Sequence, residues 1–248
     1  MKSKRTRLDR FISGQVGINR RDVKPLLARG RIIVDGSVAR DSQQVIHQFT
    51  HVVLDERVLQ AHTPHYFMMN KPPGVVSATI DRQHPTVIDL MKNPDRNDLH
   101  IAGRLDFNSS GLLLLTNDGQ WSRNLFTPEN KVPKKYRVTV EKPLTEDYIR
   151  AFAKGMYFNY EDITTRPAKL NIVSEFVAEV SLVEGRYHQI KRMFGRFRNP
   201  VLKLHRVSIG SLLLDPTLKP GYYRPLSELE LKNLGANYQQ ALTCFNLI

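Results

Sequence analysis

The sequence predicts an α+β fold in two parts, a small helix–helix–hairpin module over residues 1–58 and a larger domain over residues 66–248. Three observations support this prediction. The chain has 248 residues, enough for two domains that each bury an apolar core. Segments such as 135–141 and 177–183 alternate polar and apolar residues, which is typical of antiparallel strands with one exposed face. No glycine fingerprint of a nucleotide-binding βαβ unit accompanies them, so we expect a mixed, mainly antiparallel sheet.

The composition excludes several classes of protein. Hydrophobic residues make up 41% of the chain, with only 14 prolines and 14 glycines, so a folded globular protein is expected. The longest apolar run, the four leucines at 112–115, is far too short for a membrane span. The basic N-terminus is followed by no apolar segment of the kind found in secretory signals. The single cysteine, Cys244, fits a reducing compartment, so we expect a cytoplasmic protein with no membrane partner.

The charge of the chain favours a polyanionic partner. The formal net charge is +13 and the isoelectric point is near 9.9. Residues 1–58 hold 12 lysines and arginines against 6 aspartates and glutamates, so positive charge is densest in the first part. A basic surface that serves only solubility is the alternative, but this distribution favours a dedicated module for nucleic acid.

The first helix of this module is predicted over residues 7–14, where apolar residues recur on one face. It begins with the tripeptide Arg-Leu-Asp, which occurs again at 104–106 and therefore serves as an internal comparison. In the helix we expect Leu8 to be buried and Asp9 to be solvated.

A second helix is predicted from Asn19, as its N-cap, to Arg29, with Gly30 as its stop. Pro25 lies inside this segment, and because proline lacks a backbone donor it is expected to kink the helix.

A β-hairpin follows the second helix. The segment "RIIVDGSVAR" joins two apolar runs through Asp35 and Gly36, a strong signal for a two-residue turn. "HVVLDERV" predicts a further strand or hairpin, and the polar residues 59–65 predict a linker. The basic side chains of the second helix and the hairpin are the candidates for contacts with nucleic acid: Arg20, Arg21, Lys24, Arg29 and Arg31.

The second part alternates strands and helices, and one face of its sheet could carry a long cleft. Strands are predicted over 66–70, 111–116, 135–141, 177–183 and 201–208, and helices over 120–126, 145–154, 187–197 and 227–234.

The chain carries no pattern typical of a metal or cofactor site. His47 and His51 lie four residues apart, and His62 and His65 three apart, but neither pair has an acidic or third ligand nearby in sequence. A glycine-rich phosphate loop and a G-x-S-x-G motif are also absent. We therefore expect neither a metal ion nor a cofactor.

The stretch "AGRLDFNSSGLLLLTNDG" places a carboxylate, Asp106, in a loop between Gly103 and Gly111. The leucines at 112–115 predict a buried strand that anchors this loop. Arg104 is expected to keep the carboxylate ionised and to orient it. Two interpretations remain open from the loop alone: an aspartate that only caps a turn, or one held at the floor of a cleft.

Two basic segments favour the second interpretation. "KVPKKYRVTV" places Tyr136 on a strand next to Lys134 and Lys135, an aromatic among cations that suits stacking on a base. A half-buried strand tyrosine is the alternative. "EGRYHQIKRMFGRFRN" predicts an amphipathic helix, and residues 184–206 contain seven lysines and arginines against one acidic residue. Its candidates for phosphate contacts are Arg186, Lys191, Arg192 and Arg196.

The motifs "NKPPGVVSA", "AGRLDFNSSGLLLLTNDG", "KKYRVTV", "EGRYHQIKRMF" and "LHRVSIG" follow one another as in a known family. On these residues the chain resembles the RsuA-type bacterial pseudouridine synthases over almost its whole length. The resemblance implies that residues 66–248 are a catalytic domain of pseudouridine synthase type. It implies that residues 1–58 are an RNA-binding domain of the ribosomal protein S-four type.

The resemblance also implies an activity, the isomerisation of a uridine to pseudouridine in RNA. "YFMMNKPPGVVSATIDRQHPTV", "DGQWSRNLFTP" and "YHQIKRMF" are most similar to the enzymes of the small subunit, so 16S ribosomal RNA is the expected substrate, bound within an assembly intermediate by a monomer. A synthase for large-subunit ribosomal RNA or for tRNA, and a non-catalytic assembly factor, are the alternatives.

Four residue roles follow from the resemblance. Asp106 matches the catalytic carboxylate, and Lys191 matches the basic residue that pairs with it. Tyr136 matches the residue that stacks on the target base and takes part in a late proton transfer. Arg104 matches a residue that helps to open the RNA and fills the space of the extruded nucleotide. The same family reaction uses no cofactor.

Overall fold

The computed structural model describes residues 5–234, so Cys244 lies outside the described part. The described residues form two compact units, and the chain passes from the first to the second between Pro64 and His65. Within residues 5–234, no helix is long and apolar enough to span a membrane.

The described part of the first unit, residues 5–64, contains two α-helices and six short strands. Its elements are β1 (Thr6–Arg7), α1 (Leu8–Val16), α2 (Val23–Ala28), β2 (Ile32–Val34), β3 (Ser37–Val38), β4 (Val45–Ile46), β5 (Val52–Leu54) and β6 (Arg57–Gln60). The strand β6 runs to Gln60, two residues into the segment predicted as a linker. The core of this unit joins the helices to the sheet through Leu8, Ile12, Val23, Ile32 and Val52, none of which is exposed.

The second helix differs from the prediction. It starts as a 3-10 turn at Arg20–Asp22 and continues as α2, and Asn19 makes no side-chain bond to the helix end, so the predicted cap is wrong. Pro25 is the third residue of α2. In a first helical turn proline removes no α-helical hydrogen bond, because the backbone N–H groups there have no acceptor within the helix. The kink expected at Pro25 stays a prediction.

The hairpin at Asp35 and Gly36 is confirmed. Both turn residues have positive φ, 47° and 78°, and β2 pairs with β3 through Val34 and Ser37. These angles are those of a two-residue turn whose twist matches that of the flanking strands. β2 also pairs with β5, giving a four-stranded sheet in the order β3-β2-β5-β6.

The second unit is built on a nine-stranded sheet. Its elements are β7 (Tyr66–Lys71), β8 (His100–Ala102), β9 (Ser110–Thr116), α3 (Gly119–Phe126), β10 (Lys134–Val140), α4 (Glu146–Lys154), β11 (Tyr157–Phe158), β12 (Ile163–Thr164), β13 (Lys169–Ser174), β14 (Val177–Leu182), α5 (Gln189–Gly195), β15 (Val201–Ile209), β16 (Leu212–Leu213), β17 (Tyr223–Pro225) and α6 (Glu228–Asn233). The order is β13-β14-β10-β15-β9-β7-β17, with β16 beside β15 and β8 beside β9. Within this sheet of the described chain, β15 and β9 form the one parallel pair, so the predicted mixed, mainly antiparallel α+β fold is confirmed.

The predicted helix over 187–197 is shorter in the structure. α5 begins at Gln189 because His188 has a left-handed backbone, with φ 50°, and it ends at Gly195. The five predicted strands and the other three predicted helices agree with the structure to within about one residue at each end.

Alternation along β10 decides what the sheet presents on each face. Lys134, Tyr136 and Val138 are buried on one side, while Lys135 and Arg137 are exposed on the other. Helices α4 and α5 cover the buried side through a core that includes Tyr148, Phe152, Met193 and Phe194. Tyr136 therefore belongs to the core-facing side of the sheet, on which the cavity described next opens.

Candidate active site

An open cavity of about 530 Å³ lies in the second unit beside the Asp106 loop. Its lining includes Ser77, Arg104, Asp106, Tyr136, Tyr187 and His188. A second cavity of about 490 Å³ shares Arg104 and Tyr136 with the first. Three of the predicted site residues, Arg104, Tyr136 and Arg186, therefore line both cavities, and Asp106 lines the first.

The loop that carries Asp106 is held at both ends by glycines that the backbone requires. Gly103 and Gly111 have φ of 79° and 102°, in the region that L side chains rarely adopt. Gly111 also lies against the neighbouring strand, since a Cβ there would be 2.3 Å from the carbonyl oxygen of Arg206. The four leucines at 112–115 that follow are fully buried. Burying a leucine side chain stabilises by about 2 kcal/mol, so the loop rests on a firmly anchored strand.

Two basic groups surround the carboxylate of Asp106. Nζ of Lys191 lies 3.4 Å from one carboxylate oxygen, and Nε2 of His188 lies 3.6 Å from the other. The side chain of Asp106 is 28% exposed, so these partners are only partly screened by solvent. The expected ion pair with Arg104 is wrong: the Arg104 side chain is exposed and forms no ion pair within residues 5–234.

A buried lysine supports the loop from below. Lys71 has no exposed surface, and its Nζ donates to the carbonyl oxygens of Pro72, Phe107 and Ser109 at 2.9, 3.2 and 2.7 Å. Burial lowers the pKa of Lys71 to about 8, although the nearby negative charge of Asp106 acts to raise this pKa. The sequence offered only the motif "NKPPG" as a signal, and no role for this lysine was predicted.

A buried arginine holds the two ends of the same loop. Arg206 is 1% exposed, and its guanidinium donates to the carbonyl oxygens of Leu112 at 2.7 Å and of Gly103 at 2.6 Å. A third N–H points to the hydroxyl of Tyr136 at 3.5 Å. Arg206 thus links the loop to Tyr136. It lies in the motif "LHRVSIG", which gave no indication of this role.

The cations next to Tyr136 in sequence do not surround it in space. Lys134 is on the same side but is 8% exposed; its Nζ donates to the carbonyl oxygen of Val132, and burial lowers its pKa. Lys135 lies on the opposite side of the sheet, 3.8 Å from Glu179. Because side chains alternate along a strand, Lys135 faces away from the ring of Tyr136, and only the buried Lys134 shares its side of the sheet. The RNA contacts of the two lysines stay a prediction.

The predicted phosphate contacts near α5 are already engaged within the chain. Arg192 makes a two-pronged ion pair with Glu161 and stacks on the ring of Phe158, 3.7 Å from its centre. Arg196 donates to the backbone carbonyl of Tyr157. Both side chains thus hold the β11–β12 hairpin on α5. Arg186, which pairs with Glu184 at 3.1 Å, remains at the cavity.

Two of the five candidates in the first unit are also ion-paired. Arg20 lies 2.9 Å from Asp9, and Arg31 lies 2.6 Å from Asp55. Arg21, Lys24 and Arg29 are exposed and form no ion pair within residues 5–234.

Asp9 itself is buried, with 6% of the residue exposed, so the expectation that it is solvated is wrong. Burial acts to raise the pKa of Asp9, but hydrogen bonds from Arg20 and Arg7 outweigh it and lower the pKa below its usual value. The ion pairs compensate the cost of burying this carboxylate.

The described residues contain no group of three or more histidine, cysteine, aspartate or glutamate side chains placed to hold a metal ion.

The mixed sheet, the anchored carboxylate and the open cavity agree with the class of enzyme that the sequence motifs indicated, the pseudouridine synthases. Residues 65–195 match the sequence profile of the RNA pseudouridylate synthases. The chain belongs to this family and is an RNA pseudouridine synthase, an isomerase.

Relatives support this assignment over nearly the whole chain. The chain is 51% identical to "Ribosomal small subunit pseudouridine synthase A" of Pseudomonas aeruginosa over 226 residues, 91% of this chain and 98% of that protein. It is 42% identical to the protein of the same name from Escherichia coli K12, over 92% of this chain and 99% of that protein. A crystal structure of a pseudouridylate synthase matches with a TM-score of 0.67 and 38% identity, covering 92% of this chain and 99% of the other.

Proposed function

We propose that this protein isomerises a uridine of the 16S ribosomal RNA of the small subunit to pseudouridine. The observation that carries the proposal is the placement of Asp106 in an open cavity, between Lys191 and His188. The names of the relatives from Pseudomonas aeruginosa and Escherichia coli support the choice of subunit.

Asp106 acts at the anomeric carbon of the target ribose. The reaction breaks the bond between N1 of uracil and C1′, turns the base, and rejoins C5 to C1′. A carboxylate there stabilises the electron-poor sugar, either as an ion pair or through a covalent bond. Lys191, whose Nζ lies 3.4 Å away, pairs with the carboxylate and orients it towards the cavity.

Tyr136 and Arg104 hold the nucleotide in this proposal. The ring of Tyr136 lines both cavities and stacks on the detached base, while Arg206 fixes its hydroxyl. Arg104, exposed and without an ion pair in the described chain, is free to take the place of the extruded nucleotide in the RNA. Flipping a nucleotide out of a helix costs a few kcal/mol. Several contacts between basic side chains and RNA phosphates supply binding free energy of roughly that size.

The first unit supplies part of that binding energy. We assign residues 1–58 to an RNA-binding domain and take the exposed side chains of Arg21, Lys24 and Arg29 as its leading phosphate contacts. Arg20 and Arg31 are secondary candidates because each already neutralises an aspartate. The protein acts as a monomer in the cytoplasm, on an assembly intermediate of the small subunit.

Mapping of pseudouridine tests the proposal. Ribosomal RNA from a strain that lacks the protein is treated with carbodiimide and read by primer extension, and the same strain is complemented with wild-type protein or with Asp106→Asn. We expect one 16S position to lose its signal, to regain it with wild-type protein, and to stay unmodified with Asp106→Asn. Loss of a position in large-subunit RNA or tRNA instead would replace the substrate, and full complementation by Asp106→Asn would refute the role of Asp106.

A further inference from the structure

We propose that His188 is the general base that removes the C5 proton of uracil after the base has been rejoined to ribose. The inference rests on the proposed role of Asp106 at the anomeric carbon and adds a second reacting group to that site. It assigns to one side chain a step that the reaction requires.

The step follows from the balance of the isomerisation. Uracil leaves C1′ with the electron pair of the N1–C1′ bond, and after rotation C5 gives an electron pair back to C1′. C5 then carries both its original hydrogen and the ribose. Nε2 of a neutral imidazole takes that proton, and the C–H electron pair restores the C5=C6 double bond. N1 gains one proton, from the imidazolium or from water, so the product is an isomer of the substrate.

The position of Asp106 determines where the general base must lie. When C5 loses its proton it is bonded to C1′, the atom on which Asp106 acts. The general base must therefore lie within a few ångströms of the Asp106 carboxylate. Nε2 of His188 lies 3.6 Å from one oxygen of Asp106. Lys191 is as close to the other oxygen, but an ammonium group has no lone pair with which to accept a proton.

Three other polar side chains of the cavity, those of Arg104, Arg186 and Tyr136, are poorer acceptors. Arg104 and Arg186 are permanently charged donors. The hydroxyl oxygen of Tyr136 already accepts an N–H of Arg206 at 3.5 Å, so this proposal limits Tyr136 to stacking on the base and gives the late proton transfer to His188. Imidazole combines an available lone pair with a proton affinity suited to neutral pH, which makes histidine the commonest general base.

The backbone at His188 is specialised for presenting this ring. His188 has φ 50° and ψ 28°, a left-handed conformation that is uncommon for residues other than glycine. Its carbonyl oxygen accepts the N–H of Arg192 at 2.9 Å, so the residue initiates α5 while its side chain stays outside the helix. The ring stacks on Tyr187 with centroids 3.9 Å apart, which limits its rotation. Strained backbone of this kind is concentrated at functional sites.

Two variants test whether His188 acts as the general base or only positions Asp106. His188→Gln keeps a polar side chain beside Asp106 but has no basic nitrogen, and His188→Ala leaves space for an added base. Each is assayed on 16S ribosomal RNA transcribed with uridine or with uridine deuterated at C5. We expect turnover to fall about 100-fold in both variants, with a deuterium isotope effect larger than that of the wild-type enzyme. Added imidazole should restore turnover of His188→Ala, more so for substituted imidazoles of higher basicity.

The matched control is His62→Ala, an exposed histidine of the segment before the second unit, which should leave turnover, isotope effect and response to imidazole unchanged. Turnover of His188→Gln within a few-fold of wild type would overturn the proposal. So would a slow variant with a wild-type isotope effect and no rescue by imidazole. Asp106→Asn in parallel distinguishes the two proposals, since activity in that variant refutes the role of Asp106 itself.

Discussion

The sharpest test of the loop architecture is Gly111→Ala, with Gly221→Ala as its matched control. Both glycines have positive φ, 102° and 86°, so alanine is strained at either position. They differ in the space around them. A Cβ at Gly111 would lie 2.3 Å from the carbonyl oxygen and 2.7 Å from the nitrogen of Arg206, whereas nothing lies within 4 Å of one at Gly221.

The magnitudes follow from that difference. The left-handed backbone costs alanine about 1–2 kcal/mol at either site. At Gly111 the overlap with Arg206 must also be relieved by moving β9 away from β15, the parallel pair in which Gly111 and Arg206 are partners. Overpacking of this kind adds about 1–3 kcal/mol. We therefore expect Gly111→Ala to lower the free energy of unfolding by about 2–5 kcal/mol.

The assay is urea unfolding followed by the fluorescence of Trp121, the single tryptophan of the chain. Trp121 is buried in the second unit, so its signal reports the unit that contains both glycines. Turnover is measured from tritium release at C5 of uridine-labelled ribosomal RNA. Because Arg206 bonds to Gly103 and Leu112 across the Asp106 loop, Gly111→Ala should also slow turnover, by roughly 100-fold for a displacement near 1 Å.

Equal losses of stability in the two variants would refute this reasoning, because the strain of positive φ would then account for the whole effect. Normal turnover in Gly111→Ala, together with the larger loss of stability, would show that the loop holds Asp106 independently of β15.

Three further predictions concern charges. Lys191→Ala should remain folded but lose about 1–3 kcal/mol of charge-assisted bonding to Asp106, slowing turnover roughly 10- to 100-fold in the tritium assay; a near-normal rate would show that another cation serves this carboxylate. The buried charge of Lys71 destabilises the folded state below its pKa of about 8, and this cost is relieved as the pH rises towards the usual value of 10.5. Between pH 8 and 10.5 the unfolding free energy of the wild type should therefore rise relative to that of Lys71→Met, by no more than about 3 kcal/mol. If the unfolding free energies of the two proteins changed with pH in the same way, this prediction would be contradicted. Changing Arg21, Lys24 and Arg29 together to Gln should weaken binding to ribosomal RNA and reduce its salt dependence by about 2–3 in slope, whereas an unchanged slope would remove these residues from the interface.

Local patterns in the sequence were enough to predict most of the secondary structure. The alternation along β10 and β14 predicted strands with one buried face, and the burial of their side chains follows it. The turn at Asp35 and Gly36 was equally predictable, because positive φ at both positions restricts the residue types that fit. Such features depend on neighbours in the chain, which a sequence displays directly.

The candidate site could be predicted in part. Asp106, Tyr136 and Lys191 were singled out through family motifs, and the structure places all three around one region of the second unit. The supporting residues Lys71 and Arg206 were missed. Fully buried cations are rare in proteins, and a sequence gives no sign that backbone carbonyls from distant segments will surround them.

The two copies of Arg-Leu-Asp show where the sequence ceased to be decisive. At 7–9 the aspartate is buried beneath Arg7 and Arg20, and at 104–106 it is partly open to a cavity between His188 and Lys191. In the second copy the adjacent arginine does not reach the carboxylate at all. The sequence by itself determined the class of enzyme, the order of its elements and the choice of Asp106 as the candidate catalytic residue. Only the tertiary structure decided which cations face that aspartate, because strand alternation and the packing of α5 bring together side chains about 80 residues apart and separate neighbours such as Lys134 and Lys135.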